Sequence, residues 1–298
     1  MKSCDIIILT DERYDQPAAG HWYVDQLLHE EALLQEGLRR RGLTSRRVAW
    51  SRPDVDWSLT RAAVFRSTWD YFERFSEFSP WLDRTAAQTR LFNCPELLRW
   101  NIDKHYLRDL AERGVNLPET EYLEPGDHAR LGERLAARSW REAIIKPSIS
   151  GAARHTYRLN ENNTAEIEPV VTALLREESM ILQPFLPSVL TEGELSLIVI
   201  GGRCTHAVRK VAKRGDFRVQ DDHGGTVHAH AATAAEIAFA ETTAAACPSL
   251  PLYARVDAVL DETGALSLME LEVVEPELFF RFHPPAADAL AAEIAVAL

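Results

Sequence analysis

The sequence has few cysteines and no long apolar run, and both absences exclude classes of protein. Its 298 residues contain four cysteines, which are scattered at Cys4, Cys94, Cys204 and Cys247 without any CxxC pair. This argues against a disulfide framework and suits a reducing compartment. The apolar segment Ile6–Leu9 is too short for a signal peptide, and no stretch approaches membrane-spanning length. We therefore expect a cytoplasmic protein without a membrane partner.

Positive charge is also scarce overall. The 33 Lys and Arg residues stand against 45 Asp and Glu residues, giving a net charge of −12 at pH 7. This argues against a nucleic-acid backbone as the main partner, because phosphates repel an acidic surface. An anionic ligand must instead be held by local cations or backbone N–H groups. Such a local reversal of charge occurs before Gly224, at Lys210, Lys213, Arg214 and Arg218.

Two glycine motifs of nucleotide-binding proteins are missing. No Gly-x-Gly-x-x-Gly follows the first predicted strand, Asp5–Thr10, which argues against a nicotinamide cofactor, and no Walker spacing occurs anywhere. A different loop is present, because the apolar strand ending at Lys146 runs into Ser148–Arg154. Its small residues would let backbone N–H groups approach a phosphate, while the lysine supplies a positive charge. An ordinary turn remains the alternative.

Strands alternate with helices in the first part of the chain, which predicts a small doubly wound α/β lobe. The expected strands are Asp5–Thr10, Arg46–Trp50 and Ala62–Ser67, and the expected helices are Val24–Arg41 and Glu77–Gln88. Ligands of such a sheet bind beyond the carboxyl ends of its strands.

Further elements follow without an internal repeat. The expected helices are Asn101–Arg113, which carries Lys104, Ala129–Ser139, Thr233–Ala246 and Ala286–Leu298. The expected strands are Glu119–Leu123, Met180–Phe185, and Leu195–Ile200 with Arg203–Val211, the last two joined as a hairpin by Gly201-Gly202. We expect three lobes, at residues 1–95, 96–185 and 186–298.

One loop at the end of a first-lobe strand combines several kinds of polar and aromatic side chain. A cation, two hydroxyls, a carboxylate and two aromatic rings fall within six residues, namely Arg66, Ser67, Thr68, Trp69, Asp70 and Tyr71. This mixture suits recognition of a small zwitterion. The alternative is an aromatic plug that seals the sheet edge with its polar tips in water.

A second hairpin places several charges on one face. Two apolar runs in residues 253–276 flank a four-residue loop, Asp261–Gly264. Pairing Leu260 with Ala265 would place Arg255 opposite Glu270 and Asp257 opposite Leu268. Because side chains alternate along a strand, one face then carries Arg255, Asp257, Glu270 and Glu272. A slip of one residue would separate Asp257 from the glutamates.

The three carboxylates of this hairpin admit two interpretations. Carboxylates on one face repel one another, and a Mg²⁺ ion with oxygen ligands would resolve that conflict. A solvated outer face is the alternative, since acidic residues are common there. Zinc bound by His223, His228 and His230 is also conceivable, but nothing at helical spacing completes a hydrolase motif, and partly exposed strand histidines are the simpler interpretation.

Taken in order, these motifs resemble the ATP-grasp superfamily, in particular the ligases similar to glutathione synthetase. The resemblance covers roughly residues 90–285, and the first lobe fits by pattern alone. It implies an α/β (α+β) fold in which a pre-ATP-grasp lobe precedes two α+β lobes that hold ATP between them. Within the superfamily, the loop at residues 66–71 is similar to that of the O-ureido-serine cyclo-ligases.

The resemblance implies roles for individual residues. Lys104 and Lys146 match the nucleotide lysines, and Ser148, Ser150 and Gly151 belong to the loop over the phosphates. The remaining matches are Gln183, Pro184 and Phe185 at the adenine hinge, Glu192 near the ribose, Arg209 or Lys210 near the transferred phosphate, and Asp257, Glu270 and Glu272 as the ligands of two Mg²⁺ ions. Many relatives have Asn where Glu272 stands.

The sequence therefore predicts an ATP- and Mg²⁺-dependent carbon–nitrogen ligase. Lys146, Arg209 and Arg255 would act in catalysis, the residues 66–71 would hold an amino-acid-like substrate, and the favoured reaction is cyclisation of O-ureido-D-serine to D-cycloserine. An intermolecular amino-acid or dipeptide ligase and a non-catalytic nucleotide-binding module are the alternatives. The sequence does not fix the oligomeric state, and a homodimer is one option.

Overall fold

The first sheet is parallel, as the alternation of strands and helices predicts. A computed structural model of the chain describes residues 4–18, 20–219 and 224–298. The strands lie in the order β2-β1-β3-β4. In chain order the elements are β1 (Cys4–Thr10), α1 (Glu12–Asp15), α2 (Trp22–Arg40), β2 (Ser45–Ala49), β3 (Thr60–Ser67), α3 (Phe75–Ala86) and β4 (Arg90–Phe92).

The second sheet is antiparallel and has the order β5-β8-β6-β7. It follows two short helices, and further helices lie between and after its strands. The elements are α4 (Pro95–Ile102), α5 (Tyr106–Glu112), β5 (Glu121–Leu123), α6 (Leu131–Ala137), β6 (Glu142–Pro147), β7 (Tyr157–Asn160), α7 (Thr164–Leu174), β8 (Met180–Pro184) and α8 (Ser188–Thr191).

The third sheet is also antiparallel, with the order β11-β10-β9-β12-β13. Its first hairpin turns at Gly201 and Gly202, whose φ angles of 56° and 77° lie in the left-handed region that a two-residue hairpin turn needs. The elements are β9 (Glu194–Ile200), β10 (Arg203–Val211), β11 (Thr226–His230), α9 (Ala234–Ala245), β12 (Tyr253–Leu260), β13 (Leu266–Glu272) and α10 (Pro285–Ala297).

The helix predicted over Asn101–Arg113 is wrong, because the chain breaks there into two helices. Asp103 is extended, with φ of −103° and ψ of 121°, and its side chain accepts a hydrogen bond from the backbone N–H of His105. Aspartate favours such a local bond over a helix interior. The backbone N–H of Lys104 consequently bonds Ser148 O, at 2.9 Å, which brings this lysine to the loop after β6.

The first and third sheets share one hydrophobic core. It joins Ile6 and Val64 to Ile198 and Leu290. The buried hydroxyl of Tyr253 lies within hydrogen-bond distance of three backbone carbonyls. Two belong to the first sheet, at Phe65 and Phe92, and the third belongs to Val274, after β13. Because of this shared core, the loops after the first sheet are fixed against the third sheet. The lobe boundaries predicted at residues 95 and 185 stay a prediction.

The C-terminal helix α10 packs closely against α2. A Cβ atom at Gly37 would lie 2.9 Å from the Cβ of Ala291, so glycine permits this approach. The charged ends of the pair are joined by Arg41 and Asp288, at 2.7 Å. No helix in the described part of the chain has both the length and the apolarity to cross a membrane.

A buried histidine makes the stability of this core depend on pH. His206 on β10 bonds Leu278 O at 3.0 Å and stacks on His283, with ring centroids 5.3 Å apart. Burial, followed by the charge of His283, lowers the pKa of His206 to about 4. The unfolded chain therefore binds an extra proton between about pH 6.5 and pH 4, so His206 destabilises the fold as the pH falls through that window.

We predict that His206→Gln reduces the loss of stability between pH 7 and pH 5 by about 1–2 kcal/mol. Glutamine keeps a polar group beside Leu278 O but does not titrate. Urea unfolding at both pH values measures the effect, and His228→Gln on β11 serves as the control. An unchanged pH dependence in His206→Gln would contradict the assignment.

Candidate active site

A cavity of about 270 Å³ lies where side chains of all three sheets meet. One end is apolar, with Ile144, Phe185 and Phe217 in its wall. The other end is closed by aromatic side chains of the first lobe, Tyr23, Trp69 and Tyr71. Lysines and carboxylates occupy the space between these ends. The cavity therefore offers an apolar end, a charged middle and an aromatic end.

The predicted register of the β12–β13 hairpin is wrong, although the predicted shared face is right. Near the turn Leu260 pairs with Leu266 instead of Ala265, which is a slip of one residue. A β-bulge between Asp257 and Ala258 adds a second shift, so that Asp257 pairs with Glu270 and Arg255 with Glu272. Because the two shifts sum to two residues, the charged side chains return to one face.

Cations compensate the three predicted metal ligands. Lys104 Nζ lies 3.0 Å from Glu270 Oε1. Arg255 bonds both Asp257 oxygens and pairs with Glu272. Lys210 Nζ lies 3.3 Å from Asp257 Oδ2. Among the described residues, no three His, Cys, Asp or Glu side chains lie close enough to hold a metal ion by themselves. A Mg²⁺ ion here therefore needs further oxygen ligands, which nucleotide phosphates commonly supply.

The carboxylates differ in how well their charge is balanced. Burial opposes ionisation of Asp257, but Arg255 and Lys210 outweigh it and lower the pKa to about 2. Burial also opposes ionisation of Glu270, and Lys104 with Lys146 still lowers its pKa. For Glu272, burial and the neighbouring carboxylates dominate and raise the pKa to about 7. Negative charge is therefore in excess at Glu272, and a divalent cation would relieve that excess.

The two predicted nucleotide lysines differ in their bonding. Lys104 is buried, and its ammonium donates to Ser150 O at 2.7 Å and pairs with Glu270. Lys146 lines the cavity, and within the described residues its ammonium makes no hydrogen bond or ion pair. Burial lowers the pKa of Lys146. The first lysine thus links the loop to the hairpin, while the second is free to bind an anion.

The loop after β6 is anchored at both ends and strained between them. Ser148 is buried and bonds Ser179 O, so it does not line the cavity. Ser150 and Gly151 do line it. A Cβ at Gly151 would lie 2.6 Å from the Phe72 ring, so glycine is needed for this contact. Three following residues adopt left-handed φ angles near 50°, namely Ala152, Ala153 and His155. Such strain is typical of functional loops.

Some of the predicted hinge, ribose and phosphate residues line the cavity, and others lie at the surface. Gln183, Pro184 and Phe185 all line the cavity. Lys210 lines it as well, whereas its strand neighbour Arg209 lies on the other face and donates to Glu192 O. Glu192 is exposed, and it is Glu194 that lines the cavity and pairs with Lys210 at 2.5 Å. The alternation of side chains along a strand explains the placement of Arg209.

Only part of the predicted substrate loop faces the cavity. Trp69 and Tyr71 line it. Asp70 instead accepts hydrogen bonds from Trp50 Nε1, at 2.6 Å, and from Arg74. The other three residues are buried. Arg66 donates a hydrogen bond to Pro276 O, and the Ser67 hydroxyl donates one to the Thr10 hydroxyl. The Thr68 hydroxyl has no hydrogen-bond partner among the described residues. Two of the six side chains therefore line the cavity, and the role of this loop in substrate recognition stays a prediction.

The histidines considered for zinc do not converge within the described residues. His228 bonds Thr226 at 3.0 Å, and His230 bonds Glu236 at 2.9 Å. His223 lies outside the described residues. The two described histidines thus bind separate partners.

Several cavity residues were not predicted from the sequence. Besides Glu194, they include Glu275 and Glu277, which follow β13, and Tyr23 on α2. A signal existed for the glutamates, because the segment Glu272–Glu277 repeats acidic residues directly after the predicted metal hairpin. Tyr23 gave no such signal, since only the packing of α2 beside Trp69 brings it to the cavity.

Two protein-family models match the chain. Residues 6–93 match the model described as "D-cycloserine synthetase DcsG, N-terminal domain". Residues 131–276 match "Prokaryotic glutathione synthetase, ATP-grasp domain". In sequence, the chain is 35% identical over 277 residues to the cycloserine biosynthesis protein DcsG of Streptomyces lavendulae, and the match covers 88% of this chain and 91% of that protein. The resemblance inferred from the order of motifs is confirmed.

Solved structures agree with this result. The crystal structure of D-cycloserine synthetase DcsG is similar with a TM-score of 0.84 and 30% identity, covering 98% of this chain and 99% of that one. The D-alanine–D-alanine ligase of Bacillus anthracis has a TM-score of 0.67 and 12% identity, covering 99% and 98% of the two chains. The latter likeness shows the fold alone. The predicted ATP-grasp fold is confirmed.

We predict that Lys146→Met mainly weakens ATP binding, whereas Lys104→Met mainly lowers stability. The reason is that, among the described residues, the Lys104 ammonium has hydrogen-bond and ion-pair partners and the Lys146 ammonium has none. Loss of a free cation should weaken ATP binding by roughly 10- to 100-fold while leaving the unfolding free energy unchanged or higher. Loss of Lys104 leaves Glu270 and Ser150 O unpaired and should cost about 1–3 kcal/mol of stability. Calorimetric ATP titration and urea unfolding measure these effects. Equal destabilisation by both substitutions would show that the distinction is wrong.

Proposed function

The chain belongs to the DcsG family of ATP-grasp enzymes, which makes it an ATP-dependent carbon–nitrogen ligase, and we propose that it closes the ring of D-cycloserine from O-ureido-D-serine. The observation that carries this proposal is the junction of two regions in one cavity. Trp69 and Tyr71, from the region that matches the DcsG N-terminal model, face Lys146 and Glu270, from the ATP-grasp region. A substrate held by the aromatic end would thus meet the phosphates of a nucleotide.

ATP fits the cavity with its base at the apolar end. Phe185 and Phe217 have ring centroids 6.3 Å apart in an edge-to-face arrangement, and Ile144 adds an apolar wall. The phosphates would then lie between Lys146 and the backbone of Ser150–Ala153, whose small residues permit close approach. Lys210 is placed to approach the transferred phosphate, in preference to Arg209, because only Lys210 lines the cavity.

The cofactors of the ATP-grasp fold are ATP and Mg²⁺, and the donor set in the cavity fits the metal. Glu270 and Glu272 are placed to hold it, and Asp257 would have to give up one of its bonds to Arg255, Lys210 or Ser196. Bound Mg²⁺ would neutralise phosphate oxygens. We propose two ions, since the excess negative charge at Glu272 gives a second ion a ligand.

The reaction requires the substrate carboxylate to attack the γ-phosphate, which gives an acyl phosphate and ADP. The oxyamine nitrogen of the same molecule then displaces phosphate and closes the ring. This nitrogen still carries a carbamoyl group, so cycloserine forms only when one water removes that group as carbon dioxide and ammonia. Arg255, beside Glu272 in the cavity, is placed to stabilise the oxyanion of the ring-closing step.

The aromatic end of the cavity supports a reaction within one molecule. Tyr23 and Trp69 have ring centroids 5.9 Å apart, and Tyr14 packs on Trp69 from behind at 5.7 Å. This wall leaves a short space beyond the charged residues. Holding both reacting groups of one small molecule there would supply a high effective molarity. We also propose that the partners are small molecules and that the enzyme acts in the cytoplasm, where ATP is abundant.

We predict that, in the presence of Mg²⁺, the protein converts O-ureido-D-serine, ATP and water into D-cycloserine, ADP, phosphate, carbon dioxide and ammonia, with one ammonia released per ring formed. Mass spectrometry of the products and an ammonia assay measure this outcome. Omission of Mg²⁺ and the variant Glu270→Gln are the controls, and both should remove most turnover. ADP release that requires a second amino acid, with a dipeptide as product, would indicate an intermolecular ligase. Absence of any substrate-dependent ADP release would favour a non-catalytic nucleotide-binding module.

A further inference from the structure

Six carboxylates line the cavity, namely Glu194, Asp257, Glu270, Glu272, Glu275 and Glu277. Five of them have a cationic partner within the described residues. Glu194 and Asp257 pair with Lys210, Glu270 pairs with Lys104, Glu272 pairs with Arg255, and Glu277 pairs with Arg281. Glu275 differs from the others, because no described side chain donates a hydrogen bond to its carboxylate and no described cation lies within 4 Å of it. Within the described part of the chain, its carboxylate is therefore left for a ligand or for solvent.

The position of Glu275 is fixed against the aromatic end of the cavity. Its backbone carbonyl accepts a hydrogen bond from Trp69 Nε1, at 3.1 Å. The preceding carbonyl, that of Val274, accepts a bond from the buried Tyr253 hydroxyl at 3.3 Å. These two bonds hold the segment after β13 beside the first lobe. The backbone of Glu275 thus lies against Trp69, and its side chain lines the same cavity as Trp69 and Tyr71.

Tyr71 is the second group at this end that faces the cavity. Its ring packs against Phe78 and Phe72, with centroid distances of 5.2 and 5.6 Å, so its direction is fixed. Burial raises the pKa of Tyr71, and the Glu275 carboxylate is the charge that contributes most to this effect. The tyrosine therefore stays protonated and can donate a hydrogen bond from its hydroxyl. Carboxylate, hydroxyl and aromatic faces together form a site for a small cation.

We propose that Glu275, with Tyr71 and the ring of Trp69 beside it, binds the α-ammonium group of the amino-acid substrate. This inference deepens the proposed function and rests on it, since O-ureido-D-serine carries one such group. Glu275 is half-buried, and withdrawing an unpaired carboxylate from water is costly. An ammonium ion satisfies such a carboxylate with a charge-assisted bond. The rival ligand is Mg²⁺, and the Mg²⁺ requirement of the variants separates the two.

This assignment also explains why Asp70 is unsuited to the same task. The sequence places a carboxylate in the substrate loop at Asp70, but both of its oxygens are used by Trp50 and Arg74. Those bonds fix the loop so that Trp69 and Tyr71, on either side of Asp70, face the cavity. Asp70 therefore positions the wall, and Glu275, from the segment after β13, supplies a charge that no described side chain pairs.

The test compares O-ureido-D-serine with 3-(ureidooxy)propanoate, which lacks only the ammonium group. We expect the wild-type enzyme to prefer the amino acid by roughly 100-fold or more in kcat/KM, because the analogue leaves Glu275 unpaired. In Glu275→Gln this ratio should fall to roughly tenfold or less, mainly through a higher KM for the amino acid. The KM for ATP and the Mg²⁺ requirement should stay unchanged. Tyr71→Phe should reduce the ratio by a smaller factor.

Two controls separate this role from others. Glu262→Gln makes the same chemical change on the exposed hairpin loop and should leave the ratio unchanged. Glu272→Gln removes a proposed metal ligand and should impair both compounds equally while raising the Mg²⁺ requirement. The inference is wrong if Glu275→Gln also impairs both compounds equally and raises the Mg²⁺ requirement. It is also wrong if Glu275→Gln keeps the wild-type ratio of kcat/KM with an unchanged melting temperature.

A failure of the proposed function gives a different result. If the wild-type enzyme forms no cycloserine, ADP release identifies the amino acid that it does use. The ratio of kcat/KM is then measured for that amino acid and for the matching acid without the ammonium group. A ratio that collapses in Glu275→Gln then supports the ammonium site, although the cyclisation has failed. A wild-type enzyme that uses both acids equally overturns the site.

Discussion

The central constraint on this molecule is the concentration of negative charge on one sheet face. Asp257, Glu270 and Glu272 point into the same cavity, and their charges would repel one another without compensation. Lys104, Lys210 and Arg255 come from three different parts of the chain to balance them. The ion pairs explain why the segment between α4 and α5, β10 and the β12–β13 hairpin meet at this point.

Interruptions of the helices and strands produce much of this arrangement. The interruption between α4 and α5 lets Lys104 bond the loop after β6 and the hairpin at the same time. The bulge between Asp257 and Ala258 returns the hairpin charges to one face. Left-handed backbone at Ala152 and Ala153 shapes the loop after β6. Each break costs some stability, and each brings residues to the wall of the cavity.

The first lobe contributes a wall to the cavity and takes its rigidity from the rest of the protein. Tyr253 ties β3, β4 and the segment after β13 together through its one hydroxyl. The contact between Gly37 and Ala291 joins α2 to the last helix of the chain. Trp69 and Tyr71 are consequently held at a fixed distance from the ATP-grasp region. A fixed wall suits a reaction whose two partners belong to one small molecule.

The sequence by itself determined the elements and the face on which the hairpin charges lie. Alternation along strands is a local property, so the strand β1, the Gly201-Gly202 turn and the shared face of Asp257 with Glu270 were all readable in the chain. The order of motifs was enough to indicate the ATP-grasp fold. The ATP-grasp family model then matched residues 131–276, and the sequence similarity to DcsG extends over most of the chain.

Only the tertiary structure decided which charged groups are free. Asp70 and Glu275 look alike in the sequence, yet Trp50 and Arg74 engage the first, and no described side chain engages the second. Likewise, among the described residues, Lys104 is paired whereas Lys146 has no ion pair. Pairing depends on residues that are distant in the chain, and a bulge or a helix break shifts those partners by whole residues. Local patterns contain no such information, which is why the difference between paired and unpaired charges emerged only from the packed structure.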